Sequence, residues 1–195
     1  MTGTLLTSLG GIALSLTSVD FTSRIDSEMA STWQWRMDTD PELAASLGQL
    51  RSRRSAHALD PRSPSSFEDR LRYMEAALGR ANTLVGGNPS HLAALSASRR
   101  LSVELYVDQL QTYVDNAKFQ AYLCCLNRLE GPQIDLPLYA SYLPLSTDAD
   151  AAFYGEFLAA VPVQLGQVTE LLRAGMAGGN LPARCSLDGV AGQVR

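Results

Sequence analysis

Leu126-Asn127-Arg128-Leu129-Glu130-Gly131-Pro132-Gln133-Ile134-Asp135-Leu136-Pro137 lies between two long helical patterns and interrupts both. Gly131 and Pro132 stop the preceding helix, because glycine releases the backbone and proline lacks the N–H that would continue the ladder. Pro137 restricts the chain beyond them, so residues 133–144, which end on Pro144, are expected to be extended or irregular. No reactive group stands out in the stretch. It reads as an architectural joint, and the patterns on either side of it decide the fold.

Upstream, Ser90 opens a helical region expected to run to about Leu129. Val103, Tyr106, Leu110, Val114, Ala117 and Ala121 recur at helical spacing and mark its buried face. Tyr113, Phe119 and Tyr122 broaden the apolar surface. So long a run suggests a scaffold rod in a helical bundle, with a kink near Ala97 to Leu101. Downstream, Ser146 or Thr147 caps another helix, and Asp148 and Asp150 suit the positive end of its dipole. Phe153, Phe157 and Ala160 face one way. Pro162 interrupts or restarts the pattern, Leu165, Val168, Leu171 and Leu172 continue it, and Gly178-Gly179 ends it. Leu187, Val190 and Val194 share a last helical face, which reaches Arg195 without a capping signal.

Nearer the N-terminus, Thr22 or Ser23 is a candidate cap for a helix whose apolar stripe is Ile25, Met29, Trp33 and Met37. Asp40-Pro41-Glu42 restarts the chain, with Leu43, Ala44 and Leu47 facing inward and Gly48 as the stop. Residues 49–64 read as a loop. Ser65 and Ser66 cap the next helix at capping-box spacing from Glu68 and Asp69, and Phe67, Leu71, Met74 and Leu78 form its inner face. Gly86-Gly87-Asn88-Pro89 is a turn: no strand precedes it and no GxGxxG or GKS/T comes after it. With no alternating strand pattern and no repeat, the expected fold is all-α. It is a multi-helix bundle fragment with a long central helix and an irregular Gly/Pro-bounded crossing. One helical domain is expected over 22–195, after a loosely ordered 1–21.

Bulk properties narrow the function classes. Of 195 residues, 46% are hydrophobic and 18% charged, which describes a globular chain. A net charge of -4, from 16 basic and 20 acidic residues, carries no electrostatic footprint for nucleic acid. Arg51, Arg53 and Arg54 cluster in the loop, but no aromatic residues interleave for base stacking, and a solvated loop is the simpler reading. Met1 to Val19 are uncharged and apolar in cast, a weak signal-like feature. No basic residue precedes Arg24, and Gly10, Gly11 and several hydroxyl residues dilute the run, so neither a signal peptide nor a membrane span is expected. That pattern slightly favours a cytoplasmic chain over a secreted one.

Residues capable of chemistry are few and scattered. His57 and His91 are the only histidines, 34 positions apart, and neither has a partner one helical turn away. The HExxH arrangement of helical zinc hydrolases is therefore absent, and both read as surface residues. Cys124, Cys125 and Cys185 form no disulfide framework and lack CxxC spacing; they read as buried small apolar residues in a reducing compartment. There is no GxSxG elbow and no Ser-x-x-Lys. Glu130 and Asp135 could form a carboxylate pair, but Glu130 reads more simply as capping or solvating a helix end. No catalytic, cofactor-binding or metal-binding residue is assigned.

The order of motifs carries a family resemblance. Trp33-Gln34-Trp35-Arg36, then Asp40-Pro41-Glu42 with Leu47-Gly48, is similar to the opening of the DUF885 family, the domain of unknown function 885. Arg100-Leu101-Ser102-Val103-Glu104-Leu105, Tyr113-Val114 and Lys118-Phe119 to Leu123 resemble its central helix. Leu129-Glu130-Gly131-Pro132-Gln133 to Pro137 resembles its E-G-P/V break. Pro144-Leu145-Ser146-Thr147, Asp150, Tyr154, Pro162, Leu165, Gly175 and Gly179 to Pro182 continue in order, so the likeness spans roughly residues 22 to 195. Departures are local: Phe157 stands where members often have Arg, Gln120 where many have His, and Ala183 replaces the second Pro of a common Pro-Pro.

The resemblance implies a mostly helical, much longer zinc-dependent peptidase whose HExxH motif lies in its C-terminal half. Nothing in these 195 residues matches that motif, so zinc is expected only in full-length members. The chain is expected to be a partial member without the catalytic half, or else a non-catalytic helical interaction module. Its partner would be the missing half or a full-length paralogue, docked on an exposed apolar face.

Overall fold

The computed structural model describes residues 5–49, 58–87 and 89–193, with side chains from Val19 onward. Among the described residues every regular element is helical: α1 (Leu5–Thr39), α2 (Pro41–Ser46), α3 (Pro64–Gly87), α4 (Pro89–Ala94), α5 (Ala97–Ala117), α6 (Pro132–Tyr142), α7 (Asp148–Gly178) and α8 (Arg184–Leu187). Short 3₁₀ turns occupy Ala121–Cys124 and Val190–Gly192. The chain is all-α, and none of these helices is long and apolar enough to cross a membrane.

Several ends fall where local chemistry puts them. Asp40 caps α2, its carboxylate accepting the Leu43 amide at 2.9 Å, with Pro41 at the first helical position. Gly48 comes after α2 in the left-handed region at φ 68°. Thr147 and Asp150 form a reciprocal capping box on α7, and Gly179 closes that helix at φ 77°.

Other ends depart from the sequence expectation. Thr22 and Ser23 cap nothing, because α1 already begins at Leu5. Ser63, not Ser65 or Ser66, starts α3: its hydroxyl accepts the Ser66 amide at 3.2 Å, leaving Pro64 at the favoured first position. The long rod expected from Ser90 to Leu129 is broken into α4, α5 and a 3₁₀ turn. The Ser96 hydroxyl accepts the Arg99 amide at 3.4 Å and restarts the helix there. Gln120, left-handed at φ 49°, ends it.

The largest correction concerns the crossing. Residues 132–142 are a regular helix, α6, rather than extended chain. Pro132 loses nothing at the first helical position, and Pro137 forfeits a single bond to the Gln133 carbonyl. Burial of Tyr139 within α6, and of Leu143 just beyond it, offsets that loss. The joint before it is a tight turn: the Asn127 side-chain oxygen accepts the Leu129 and Glu130 amides at 2.8 and 3.0 Å. Gly131 sits at φ 125°, and a Cβ there would lie 2.7 Å from Gln133 Oε1 and 2.8 Å from Leu126 Cδ1. Only glycine fits.

Two compact units divide the chain. One comprises Met1–Trp33 and Leu71–Asn116, the other Gln34–Arg70 and Ala117–Arg195. In the first, Phe21 and Ile25 of α1 pack with Val103 of α5, supported by Met29, Leu84, Val85, Leu92 and Leu95. Ala77, Leu78 and Ala81 of α3 meet Leu110, Tyr106 and Val114 of α5, the two alanines allowing the helices to approach. In the second, Ala45, Leu59, Tyr139, Leu143 and Phe157 form the core, with the Tyr139 and Phe157 rings edge to face at 5.4 Å. Phe157 fills that core with a ring, where a charged side chain would be costly to bury.

Gly175 of α7 is a contact point within the second unit. A Cβ there would lie 2.6 Å from the Asn180 carbonyl and 3.1 Å from the Leu123 carbonyl. The missing side chain lets the Ala121–Cys124 turn lie directly on α7. Leu47 and Leu165, expected to face inward, are exposed.

Candidate functional site

In the second unit the chain between Leu59 and Ser63 has no periodicity, yet helices engage it at several points. Gln164 of α7, only 3% exposed, donates to Glu42 of α2 at 3.0 Å and to the Asp60 carbonyl at 2.9 Å. Gln167 accepts the Arg62 amide at 2.8 Å. Arg62 pairs with Glu42 at 3.0 Å and with Asp135 of α6 at 3.5 Å. Arg70 of α3 pairs with the Asp60 carboxylate and donates to the Pro61 carbonyl at 2.7 Å. Ser66 also donates to Pro61, at 2.8 Å. The strap of residues 59–63 is thus an ionic hub joining α2, α3, α6 and α7.

Burial sets the electrostatics. Desolvation pushes the Asp60 carboxyl up to about 7, only partly opposed by Arg70 and reinforced by Asp40 and Glu42. Burial acts to lower the Arg62 guanidinium, but Glu42, Asp60 and Asp135 overcome it and leave it above its ordinary value. Tyr139 is kept neutral chiefly by burial, and its hydroxyl donates to the Ala58 carbonyl at 3.0 Å. Arg62 Nε is buried without a hydrogen-bond partner, an unmet donor in an otherwise well-bonded cluster.

Beside the hub lies a cavity of about 410 Å³ lined by Arg62, Phe67, Ala121, Tyr122, Cys124, Cys125, Glu130, Gly131 and Asp135. Phe67 and Tyr122 stack with ring centroids 4.4 Å apart, and the Arg70 guanidinium lies 5.0 Å over the Phe67 ring. Glu130 and Asp135 therefore do reach one cavity, but they are differently engaged. Asp135 is paired with Arg62, and Glu130 accepts the Asn127 side-chain amide at 3.1 Å from the joint.

The remaining candidates scatter. Cys124 and Cys125 are half-buried on the cavity wall rather than in a core, and burial raises the Cys125 thiol, which disfavours a reactive thiolate. Cys185 is exposed, contrary to the expectation of burial. His91 is not a plain surface residue: it belongs to the first unit, its ring 5.7 Å from Phe21 and its Nδ1 buried without a partner. His57, Arg51, Arg53 and Arg54 lie outside the described residues. Among the described residues no three of His, Cys, Asp or Glu converge to hold a metal ion. Sequence reasoning missed Asp60, Arg62 and Gln164. One signal existed: Gln164 shares the inward face of α7 with Phe157, Val168 and Leu171.

The site is a cluster of partly buried ion pairs and hydrogen bonds between helices of one compact unit. Residues 41–195 match the family described as bacterial protein of unknown function (DUF885), and the chain belongs to that family. The match takes in the series from Pro41 onward; Trp33 to Arg36 precede it. No curated protein and no solved structure matches the chain.

Proposed function

We propose that these 195 residues are the scaffold part of a zinc-metallopeptidase-like hydrolase, the metal and catalytic groups being supplied by residues outside them. A residue count carries this reading. Two histidines 34 positions apart, without HExxH, cannot form the two-histidine helical zinc site of that chemistry. The Arg62 hub supports it, since its carboxylates are already committed to guanidinium groups. The partner is an HExxH-bearing segment, the missing half or a full-length paralogue. The test is a peptidase assay on the purified chain with added zinc. No turnover is expected, and turnover that a chelator abolishes would overturn the reading.

A self-sufficient interaction module is the second reading. Its support is the stripe of Leu158, Leu165 and Met176 on α7, exposed by 53%, 42% and 68%, which lies beside the buried face at helical spacing. Size-exclusion chromatography with thermal melting separates the two. A monodisperse monomer with a cooperative transition favours the module, and aggregation without a partner favours the scaffold.

A further inference from the structure

We propose that the outer face of α7 is a self-pairing surface, on which α7 of a second copy of this chain docks antiparallel. Phe157, Gln164, Val168 and Leu171 are buried on the inner side of this helix. On the other side Leu158, Val163 and Leu165 are exposed by 53%, 62% and 42%. Gly155, Ala159, Pro162 and Gly166 lie among them and are exposed too. From Ala151 to Thr169 the exposed residues of α7 include a single charge, Glu156. A helix face this apolar is a surface for contact.

Two features of the face are explained by no contact within the chain. Gly155 and Gly166 stand inside α7, where glycine costs stability relative to alanine. A Cβ at either position would meet nothing within 4 Å, whereas one at Gly175 of the same helix would lie 2.6 Å from the Asn180 carbonyl. Packing within the chain therefore requires glycine at 175 but not at 155 or 166. A second helix lying close against the face does require it there. Asp148 and Arg173, exposed at the two ends of the face, form no ion pair among the described residues.

The spacing of these residues names the occupant. Asp148, Gly155, Ala159, Pro162, Gly166 and Arg173 are separated by 7, 4, 3, 4 and 7 positions, which keeps them on one helical face. The series reads the same from either end, about a midpoint between Ala160 and Val161. An antiparallel copy related by a twofold axis at that midpoint sets Asp148 against Arg173 of the second copy, Gly155 against Gly166 and Ala159 against Pro162. Each chain then supplies both members of the charge pair, the self-complementarity that a twofold interface demands. Glu156 and Glu170 fall at the rim, in water. The contact is about 40 Å long, at 1.5 Å per residue, but one helix wide, so the dimer is weak and forms at high chain concentration.

This pairing rests on the interaction-module reading and names its partner. The test is sedimentation velocity of the full chain from about 5 to about 500 μM, where a reversible monomer–dimer equilibrium is expected. Asp148→Lys and Arg173→Glu, each alone, set like charges together at both ends and should weaken the dimer roughly tenfold. An equimolar mixture of the two variants should restore it, because each then carries the complement of the other. Gly166→Leu fills open space in the single chain, so its melting should hold while pairing is lost. A chain that stays monomeric throughout overturns the proposal. So does association that survives Gly166→Leu, that the charge variants leave unchanged, or that their mixture fails to restore. A chain that melts cooperatively yet never dimerises keeps the module reading and loses the pairing.

Discussion

The two compact units solve the same problem with different chemistry. In the first, Phe21, Ile25, Ala77, Leu78, Ala81, Val103 and Leu110 make apolar clusters, and the ion pairs stay near the surface, Arg80 with Glu28 at 2.8 Å and Arg99 with Asp26. In the second, a strap without secondary structure runs into the interior and is held there by Glu42, Arg62, Arg70, Asp135 and Gln164. Surface pairs contribute little, with a median of about 0–1 kcal/mol, whereas removing one member of a buried set strands the others. The first unit should therefore tolerate polar change, and the second should not.

The largest expected effect is at Arg62. Arg62→Met removes the shared cation of Glu42 and Asp135 and should cost about 3–5 kcal/mol in denaturant unfolding. A loss under about 1 kcal/mol, the scale of a surface pair, would erase the contrast between the units. The first unit supplies the milder counterpart. Thr32 is its buried polar side chain, 2.8 Å from the Tyr106 hydroxyl. Thr32→Val should cost only about 1 kcal/mol, because one neutral hydrogen bond is lost and Tyr106 is half-buried. A cost equal to that of Arg62→Met would show that the polar contacts of the two units are alike.

The features legible in the sequence were local. Asp40, Thr147 with Asp150, Gly48 and Gly179 act on backbone groups within a few residues, so their spacing alone announces them. The buried face of α5 was readable for the same reason, since Val103, Tyr106, Leu110 and Val114 repeat at helical spacing. The α6 crossing was misread because Gly131-Pro132 both ends one segment and opens the next. The sequence does not show that Tyr139 and Leu143 will be buried against Phe157. The hub was invisible for a simpler reason. Glu42 and Gln164, bonded at 3.0 Å, are 122 positions apart, and no local pattern links them. Glu130 and Asp135, for which the sequence favoured a helix-end role over a pair, line one cavity with Arg62, a residue that no local pattern singled out.

The central claim is that Arg62 and its carboxylates work as one unit inside the second compact body. A double-mutant cycle between Arg62→Met and Glu42→Gln tests it most directly. Two coupled buried charges should give a coupling energy of roughly 1.5–3 kcal/mol, each single change destabilising more than its share of the double. Additive effects, within about 0.5 kcal/mol, would contradict the account and reduce the hub to a set of independent contacts.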